Sequence, residues 1–410
     1  MPELKRFFGL RNTTAPERFA VGELEAATNV DIDDTSKVRS RAGFTQLSAT
    51  STHSLWGSDG EAYAVQSSVL KRVTAAGAVA TLAALVSNAP MTFLRAPGAG
   101  VFYTNGVDKG RVTPQGVGSW GIAPPKGQPE ASQSAGNLPA GRYMYALTFL
   151  RLDGHESGTG LAGQVDLTTE GGIAFTGIEV STNAEVCGRI IYLSTPNGEV
   201  LYRAVLIPNN TDTTVSYRND GLDFTAPLTT QFASPPPAGS FLEMFNGQAC
   251  VALGAAVYYS DPYALELFRL GSQFLQFPGQ VAMLSAVNNG IFAGTREGVW
   301  FLQGDRLDKL QSTKKLEYGV IPGTAAKVDA ASFVMQKEGD PLPVSSPAVA
   351  WVSTRGICLG TEGGAVQNLT EKRFSSPSAA RGSVLVRRTN GFSQYIAALQ
   401  VPGSTDNLYQ

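Results

Sequence analysis

Short runs of alternating apolar and polar residues, separated by glycine turns, recur along the whole chain. In the run Arg142 to Leu150, one side of an extended backbone collects Tyr143, Tyr145, Leu147 and Phe149. Alternation with a period of two is typical of a strand that buries one face. The pattern predicts many short β-strands.

Turn signals lie between these runs and predict how the strands are connected. The dipeptides Asn105-Gly106, Asn246-Gly247 and Asn289-Gly290 each stand between apolar segments. Asparagine followed by glycine is the strongest local signal for a tight hairpin, because both residues tolerate a positive φ. Asp153-Gly154 is a further turn of this kind. The strands are therefore expected to pair as antiparallel neighbours.

The composition narrows the fold class. The chain of 410 residues has 45 glycines and 23 prolines, and only 16% of its residues are charged. Both glycine and proline disfavour long helices, one through backbone entropy and the other through its missing N–H. These numbers exclude an all-helical fold and a coiled coil, which requires sustained charged heptads.

Two stretches rich in proline and small residues divide the chain. Residues 124–135 and 232–239 are rich in proline, glycine and small residues, which predicts linkers. About 100 residues separate them, the size of one β-sandwich. The flanking segments share one strand-and-turn pattern, and a propeller blade takes about 40 to 50 residues.

The predicted fold is mainly β: a β-propeller of about six blades with an inserted immunoglobulin- or fibronectin III-like sandwich. The predicted domains are an arm with opening strands (1–50), the first part of the propeller (51–123), the sandwich (124–235), the remaining blades (236–400) and a tail (401–410).

The balance of basic and acidic residues indicates whether the protein binds nucleic acid tightly. There are 32 basic and 34 acidic residues, a formal net charge of −2. Proteins that hold nucleic acid tightly usually carry a basic excess or a basic stripe. The basic clusters here are short and are interpreted as solvated turns or subunit contacts: Lys37, Arg39 and Arg41; Lys314 and Lys315; Arg387 and Arg388.

The cysteines and the apolar segments indicate in which cellular compartment the chain folds. Cys187, Cys250 and Cys358 lie far apart, which argues against a disulfide framework or a cysteine-rich metal site, and each is expected to be buried. Residues 1–10 contain no apolar run of signal-peptide length. The longest mildly apolar stretch, 75–86, is shorter than the ~20 residues needed to span a bilayer. The chain is expected to fold in a reducing cytosol.

The residues that resemble known chemical motifs have simpler structural explanations. The two histidines, His53 and His155, stand in no zinc-protease or catalytic-triad pattern, and His155 is expected in an exposed polar loop. The letters of a dinucleotide motif occur at Gly158, Gly160 and Gly163. A strand follows them in place of the helix whose N-terminus would bind a pyrophosphate, so a cofactor site is not predicted.

Asp31, Asp33 and Asp34 resemble the start of a calcium loop. An EF-hand needs glycine at the sixth position and glutamate at the twelfth, where this chain has Ser36 and Ala42. The three carboxylates are therefore expected to support a turn. No catalytic, cofactor-binding or metal-binding residue is predicted, and the chain is not expected to be an enzyme.

The opening segment resembles a known group of proteins. Residues 19–33 contain Asn29-Val30-Asp31, and Arg39, Arg41, Gly43 and Phe44 follow within 38–44. This order resembles the propeller start of the nozzle, or tail tubular protein B, of short-tailed double-stranded DNA bacteriophages. The sequence of propeller start, inserted sandwich, propeller finish and a closing segment at 390–395 is similar across most of the chain.

The resemblance implies an architectural role, with no catalytic residue carried over. It implies a ring, in that family a hexamer, attached below portal and adaptor proteins and contacting tail fibre or spike proteins. The ring would retain the genome and let double-stranded DNA pass without specific binding. The expected location is the virion tail, after synthesis in the host bacterial cytoplasm. A near-neutral chain suits a conduit, because every phosphate contact by lysine or arginine adds affinity.

Two other functions remain as alternatives. The first is a receptor- or carbohydrate-binding tail propeller, which would show exposed aromatic residues on the propeller mouth or the sandwich. The second is a propeller glycosidase or lyase, whose paired carboxylates would come from distant strands.

Overall fold

The computed structural model describes residues 7–32, 37–41, 43, 46, 49–58, 60–74, 76–219, 221–333, 345–389, 392–400 and 408–409. Strands dominate these residues, and the helices among them are four single 3₁₀ turns: Pro16–Arg18, Leu307–Lys309, Ala330–Ser332 and Glu362–Gly364. The prediction of a mainly β chain with antiparallel sheets is confirmed. Within these ranges, no helix has the length and apolarity to cross a bilayer.

The first strands of the chain lie apart from the larger sheets. Strand β1 (Gly9–Leu10) pairs in parallel with β2 (Glu23–Leu24). Strand β3 (Val30–Ile32) forms an antiparallel hairpin with β4 (Val38–Ser40).

Two four-stranded sheets follow, each an antiparallel meander of consecutive strands. The first contains β5 (Thr52–Ser58), β6 (Glu61–Gln66), β7 (Val69–Val73) and β8 (Val79–Ala84). The second contains β9 (Thr92–Ala96), β10 (Gly100–Thr104), β11 (Lys109–Thr113) and β12 (Gly116–Gly118).

The next eight strands form two sheets that pack face to face. One sheet has the order β13 (Glu130–Leu138), β16 (Gly171–Thr176), β19 (Thr214–Tyr217). The other has the order β15 (Gly163–Leu167), β14 (Gly141–Arg151), β17 (Val186–Ser194), β18 (Leu201–Ile207), β20 (Asp223–Pro227). Their shared core contains Tyr143, Leu147 and Ile191 from one sheet and Ile173 and Phe175 from the other. We call these two sheets the sandwich.

Four more meander sheets complete the described chain. The first contains β21 (Phe241–Phe245), β22 (Gln248–Leu253), β23 (Ala256–Asp261) and β24 (Ala264–Phe268), with β25 (Phe274–Gln276) also paired to β23. The second contains β26 (Val281–Val287), β27 (Gly290–Thr295), β28 (Val299–Gln303) and β29 (Gln311–Leu316). The third contains β30 (Ala326–Asp329), β31 (Pro347–Ser353), β32 (Gly356–Thr361) and β33 (Val366–Asn368). The last contains β34 (Arg381–Thr389), β35 (Phe392–Gln400) and β36 (Leu408–Tyr409).

The meander sheets contact one another through their early strands. Strand β5 contacts β9, β9 contacts β21, β21 contacts β26, β26 contacts β31, and β30 contacts β34. Apolar side chains fill the spaces between neighbouring sheets, as with Phe102, Trp120 and Val251 between the second meander and the sheet that begins with β21. The core is therefore a series of layers between successive sheets.

The two ends of the chain meet. The Asn12 side chain donates to the Ser375 carbonyl at 2.9 Å and accepts from the Ser375 N–H at 2.7 Å. Arg387 on β34 donates to Asp31 on β3 at 2.8 Å. The amino-terminal strands are thus fixed to the last part of the chain.

One segment differs from the expectation drawn from composition. Residues 124–135 were predicted to be a linker, but Glu130–Leu138 is strand β13. This strand lies at a sheet edge and mostly alternates exposed with half-buried residues, so its composition reflects solvent contact. The division of the chain into domains stays a prediction. Asp33, Asp34, Ser36, Ala42 and Phe44 lie outside the described residues, as do residues 390–391 of the closing segment.

Candidate functional site

Charged side chains converge where the sandwich meets two of the meander sheets. Arg111 lies on β11, Arg151 ends β14, Asp153 and His155 occupy the following turn, and Glu266 lies on β24. We call these five residues the junction cluster. Arg151 has 4% and Glu266 10% of its side chain exposed, so a pair of opposite charges is buried here.

The turn after β14 places three members of the cluster. Gly154 adopts a φ of +85°, which glycine allows without a steric penalty. Its N–H donates to the Arg151 carbonyl at 3.0 Å, and the Arg151 N–H donates to the His155 carbonyl at 2.9 Å. The turn predicted at Asp153-Gly154 therefore forms, and it holds Arg151, Asp153 and His155 on one short segment.

Glu266 accepts hydrogen bonds on both carboxylate oxygens. Arg151 binds it in a bidentate manner, at 2.7 Å to Oε1 and 2.9 Å to Oε2. Arg111 donates to Oε1 at 3.0 Å, and the Gly121 N–H donates to Oε2 at 2.9 Å. Bidentate arginine–carboxylate pairs are among the strongest hydrogen-bonded arrangements in proteins. This carboxylate is occupied by fixed donors and is not available for proton transfer to a substrate.

Asp153 completes the pairing of both arginines. It accepts from Arg151 Nε at 2.8 Å and from Arg111 at 3.1 Å. Burial acts to raise the pKa of Asp153, but the hydrogen bonds from Arg151, the His155 N–H and Arg111 outweigh it and hold that pKa well below its usual range. Asp153 is consequently charged at neutral pH.

His155 is the least satisfied member of the cluster. Its Nε2 lies 3.6 Å from Glu266 Oε2, beyond hydrogen-bond distance, and is buried without a partner among the described residues. Burial lowers the pKa of His155; Glu266 and Asp153 act in the opposite direction, and the two arginines reinforce the lowering. His155 was expected in an exposed loop, but its side chain is 16% exposed because the turn packs against β24.

A pH prediction follows from His155. Because its folded-state pKa is lowered, the unfolded chain takes up the proton first as the pH falls below about 6.5, and stability decreases. We expect the free energy of unfolding to fall between pH 7.5 and 5.5, by at most about 1.4 kcal/mol per pH unit for this group. His155→Gln should reduce this slope in urea titrations, whereas His53→Gln is the matched control. Equal slopes for wild type and His155→Gln would contradict the assignment.

An open groove of about 430 Å³ adjoins the cluster. His155 and Glu266 line it together with Phe102, Met244 and Tyr263. The groove is thus the place where ionisable and aromatic side chains converge on an open space.

The glycines of the dinucleotide-like motif have structural roles. A Cβ on Gly158 would lie 2.5 Å from the Ala233 carbonyl carbon, and a Cβ on Gly163 would collide with the ring of Tyr145. Gly160 faces open space. The strand predicted after these glycines forms: it is β15, which begins at Gly163 itself. Close packing accounts for Gly158 and Gly163.

The other candidate residues lie elsewhere. Asp31 pairs with Arg41 and Arg387, a role in holding strands together. His53 is within hydrogen-bond distance of Ser54 and Asn88. Across the described residues, no group of three or more histidine, cysteine, aspartate or glutamate side chains is arranged to hold a metal ion.

The structure also shows the surroundings of the cysteines and of the basic pair Lys314 and Lys315. Cys250 and Cys358 are buried, as expected, but Cys187 is exposed. It lies on β17 at a register shift, between Val186 and Gly188, which pair with Arg151 and Leu150 of β14. Lys314 pairs with Glu317 and lies over the ring of Trp300, and Lys315 lies over the ring of Phe301.

Comparisons with known proteins leave the family open. No protein-family model and no curated protein matches the chain. Among solved structures, BBS1N in complex with ARL6DN is similar at 12% identity, covering 85% of this chain and 88% of that chain, with a TM-score of 0.30. Sqt1 of Saccharomyces cerevisiae matches at 10% identity over 78% and 93%, with a TM-score of 0.21. The extracellular domain of the hybrid two-component system BT4673 from B. thetaiotaomicron matches at 11% over 90% and 60%, with a TM-score of 0.24. Scores this low carry no argument about function.

Proposed function

We propose that this chain is a structural subunit of a bacteriophage tail that assembles into a ring, retains the packaged genome and conducts DNA during ejection. The observation that supports this proposal is that the buried charged side chains of the junction cluster pair with one another. Arg151 and Glu266 join the sandwich to a meander sheet, with a bidentate contact and no free acceptor for a substrate. An arrangement of this kind suits a rigid building block.

We also propose how the sheets are arranged in the fold. We interpret the six meander sheets among the described residues as blades of one propeller, with the sandwich inserted after the second blade. Their consecutive order, the contacts between their early strands and the meeting of the two chain ends support this interpretation. Radial repetition of this type leaves only short protected edges.

The partners follow from the same proposal. The resemblance of residues 19–44 to tail nozzle proteins supports a place below the portal and adaptor, with tail fibres or spikes as neighbours. A formal net charge of −2 supports passage of double-stranded DNA without tight binding, since the chain has no basic excess to hold the phosphate backbone.

Assembly is the first test. We expect the purified protein to form a closed ring of fixed subunit number, six by the resemblance, in negative-stain electron microscopy and mass photometry. Labelling of this subunit in phage particles should place it in the tail. A protein that stays monomeric at millimolar concentration and is absent from the particles would contradict the proposal.

A further inference from the structure

Tyr263 lies beside the groove next to the junction cluster and exposes 87% of its surface. The groove measures about 430 Å³, within the range of small-ligand sites. Besides Tyr263, its lining includes the apolar side chains of Pro97, Phe102 and Met244. A large, exposed aromatic ring at the edge of a cavity of this size offers a surface on which a ligand can stack.

Two turns fix the backbone at Tyr263. The residue ends a two-residue loop between Asp261 and Ala264, with a φ of +58° that is unusual for tyrosine. Its N–H donates to the Gly247 carbonyl at 2.8 Å. A Cβ on Gly247 would lie 2.5 Å from Cε1 of the ring, so one side of the ring lies close to the glycine backbone. Most of the ring surface is exposed to solvent.

The face of an exposed aromatic ring is suited to a particular kind of ligand. The face is apolar and carries the negative part of the ring quadrupole, which attracts the weakly positive C–H groups on one side of a pyranose ring. Because the turn already fixes the backbone at Tyr263, a ligand that stacks on the ring orders one side chain with only two rotatable bonds. The sugar hydroxyls would still need polar partners. Because Nε2 of His155 is buried, Nδ1 is the imidazole nitrogen that can donate or accept.

The charges around the groove select against ionic ligands. Arg111 and Arg151 are both engaged by Glu266 and Asp153, so no unpaired cation of the cluster is available for a carboxylate, sulfate or phosphate. Glu266 in turn has its oxygens occupied by arginine and backbone donors, which leaves no free anion there for a cationic ligand. A neutral, hydroxyl-rich molecule fits these surroundings best.

We propose that this groove binds a neutral, hexose-containing glycan, with one pyranose ring stacked on Tyr263 and its hydroxyl groups bonded to His155 and to backbone groups of the lining. This inference goes beyond the architectural role and does not depend on it, because the groove belongs to a single subunit. If the protein forms a ring but binds no glycan, only the glycan proposal is refuted. If it stays monomeric but binds a glycan, only the ring proposal is refuted.

The experiment measures binding of the full-length protein to immobilised oligosaccharides. The probes are neutral glucose and galactose oligomers, with sialyllactose as the anionic arm and a choline conjugate as the cationic arm. We expect saturable binding to at least one neutral oligomer. Tyr263→Ala should weaken this binding about tenfold, and Tyr263→Phe should keep it within about twofold because the ring remains. Tyr263 is exposed, so the variants should fold.

A matched control distinguishes stacking on Tyr263 from nonspecific binding to exposed aromatic residues. Phe224 of the sandwich is 59% exposed and packs edge-on against Tyr202, outside the groove, and Phe224→Ala should bind like wild type. The proposal is overturned if no neutral oligomer binds, if Tyr263→Ala binds like wild type, or if only the anionic or cationic probe is retained. It is also overturned if Tyr263→Ala changes only the association state, because Tyr263 would then be a subunit contact.

Discussion

Replacing Glu266 by glutamine should lower the free energy of unfolding by about 3–5 kcal/mol, because it breaks a buried ion pair on one side only. Arg151, with 4% of its side chain exposed, would keep its charge without the bidentate partner at 2.7 and 2.9 Å. Arg111 would lose its 3.0 Å contact as well. The measurement is urea denaturation followed by tryptophan fluorescence. Trp120 donates to the Leu265 carbonyl at 2.9 Å and so reports on this junction.

An exposed ion pair provides the matched control. Arg306 and Asp308 are 61% and 47% exposed and form a pair at 2.7 Å, and such pairs contribute little. Asp308→Asn should leave the unfolding midpoint unchanged. The double variant Arg151→Met, Glu266→Leu should recover much of the stability, since apolar residues of similar size can replace a buried pair. If Glu266→Gln unfolds like wild type, the junction cluster does not hold the sandwich in place.

Local features of the fold could be predicted because they depend on neighbours in sequence. The turn at Asn246-Gly247 forms with φ values of +45° and +77°, the positive values that this dipeptide accommodates. Asn288 and Asn289 also make a turn, but Val287 pairs with Gly290, so the loop lies one residue earlier than expected. The alternation in Arg142 to Leu150 likewise identifies the buried face of β14.

The junction cluster could not be predicted, because its members come from distant parts of the chain. Arg151 and Glu266 are 115 residues apart, and Arg111 and Glu266 are 155 apart. No spacing rule connects residues that meet only when separate sheets pack. One signal was available: Arg151 ends the mostly apolar run from Tyr143 to Leu150, and a charge in that position must find a partner when it is buried.

The placement of His155 illustrates the same limit. A histidine next to a glutamate in a glycine turn is typical of a solvent-exposed loop, and that prediction was wrong. The turn itself was predictable from Asp153-Gly154, but its burial depends on β24, which follows more than a hundred residues later. Local sequence therefore determined the shape of the segment, and tertiary packing determined its chemistry.

The second large effect is expected at Gly158, where an added methyl group has no space. The Thr159 carbonyl accepts the Phe232 N–H at 2.8 Å, so the segment that follows β14 runs alongside the chain leaving the sandwich. A Cβ on Gly158 would lie 2.5 Å from the Ala233 carbonyl carbon and closer still to its oxygen. The Ala233 carbonyl belongs to the backbone, so it cannot rotate away from the added Cβ as a side chain could. Gly158→Ala should therefore destabilise the protein by about 3 kcal/mol, at the upper end of overpacking costs.

Gly160 is the matched control two residues away. A Cβ there would meet nothing within 4 Å, and replacing a glycine without strain usually stabilises by reducing the entropy of the unfolded chain. Gly160→Ala should unfold at the same urea concentration as wild type or slightly higher. Limited proteolysis should cleave Gly158→Ala faster within 230–240, because the two paired segments separate. If both variants behave alike, close packing does not account for Gly158, and its place in the dinucleotide-like motif needs another explanation.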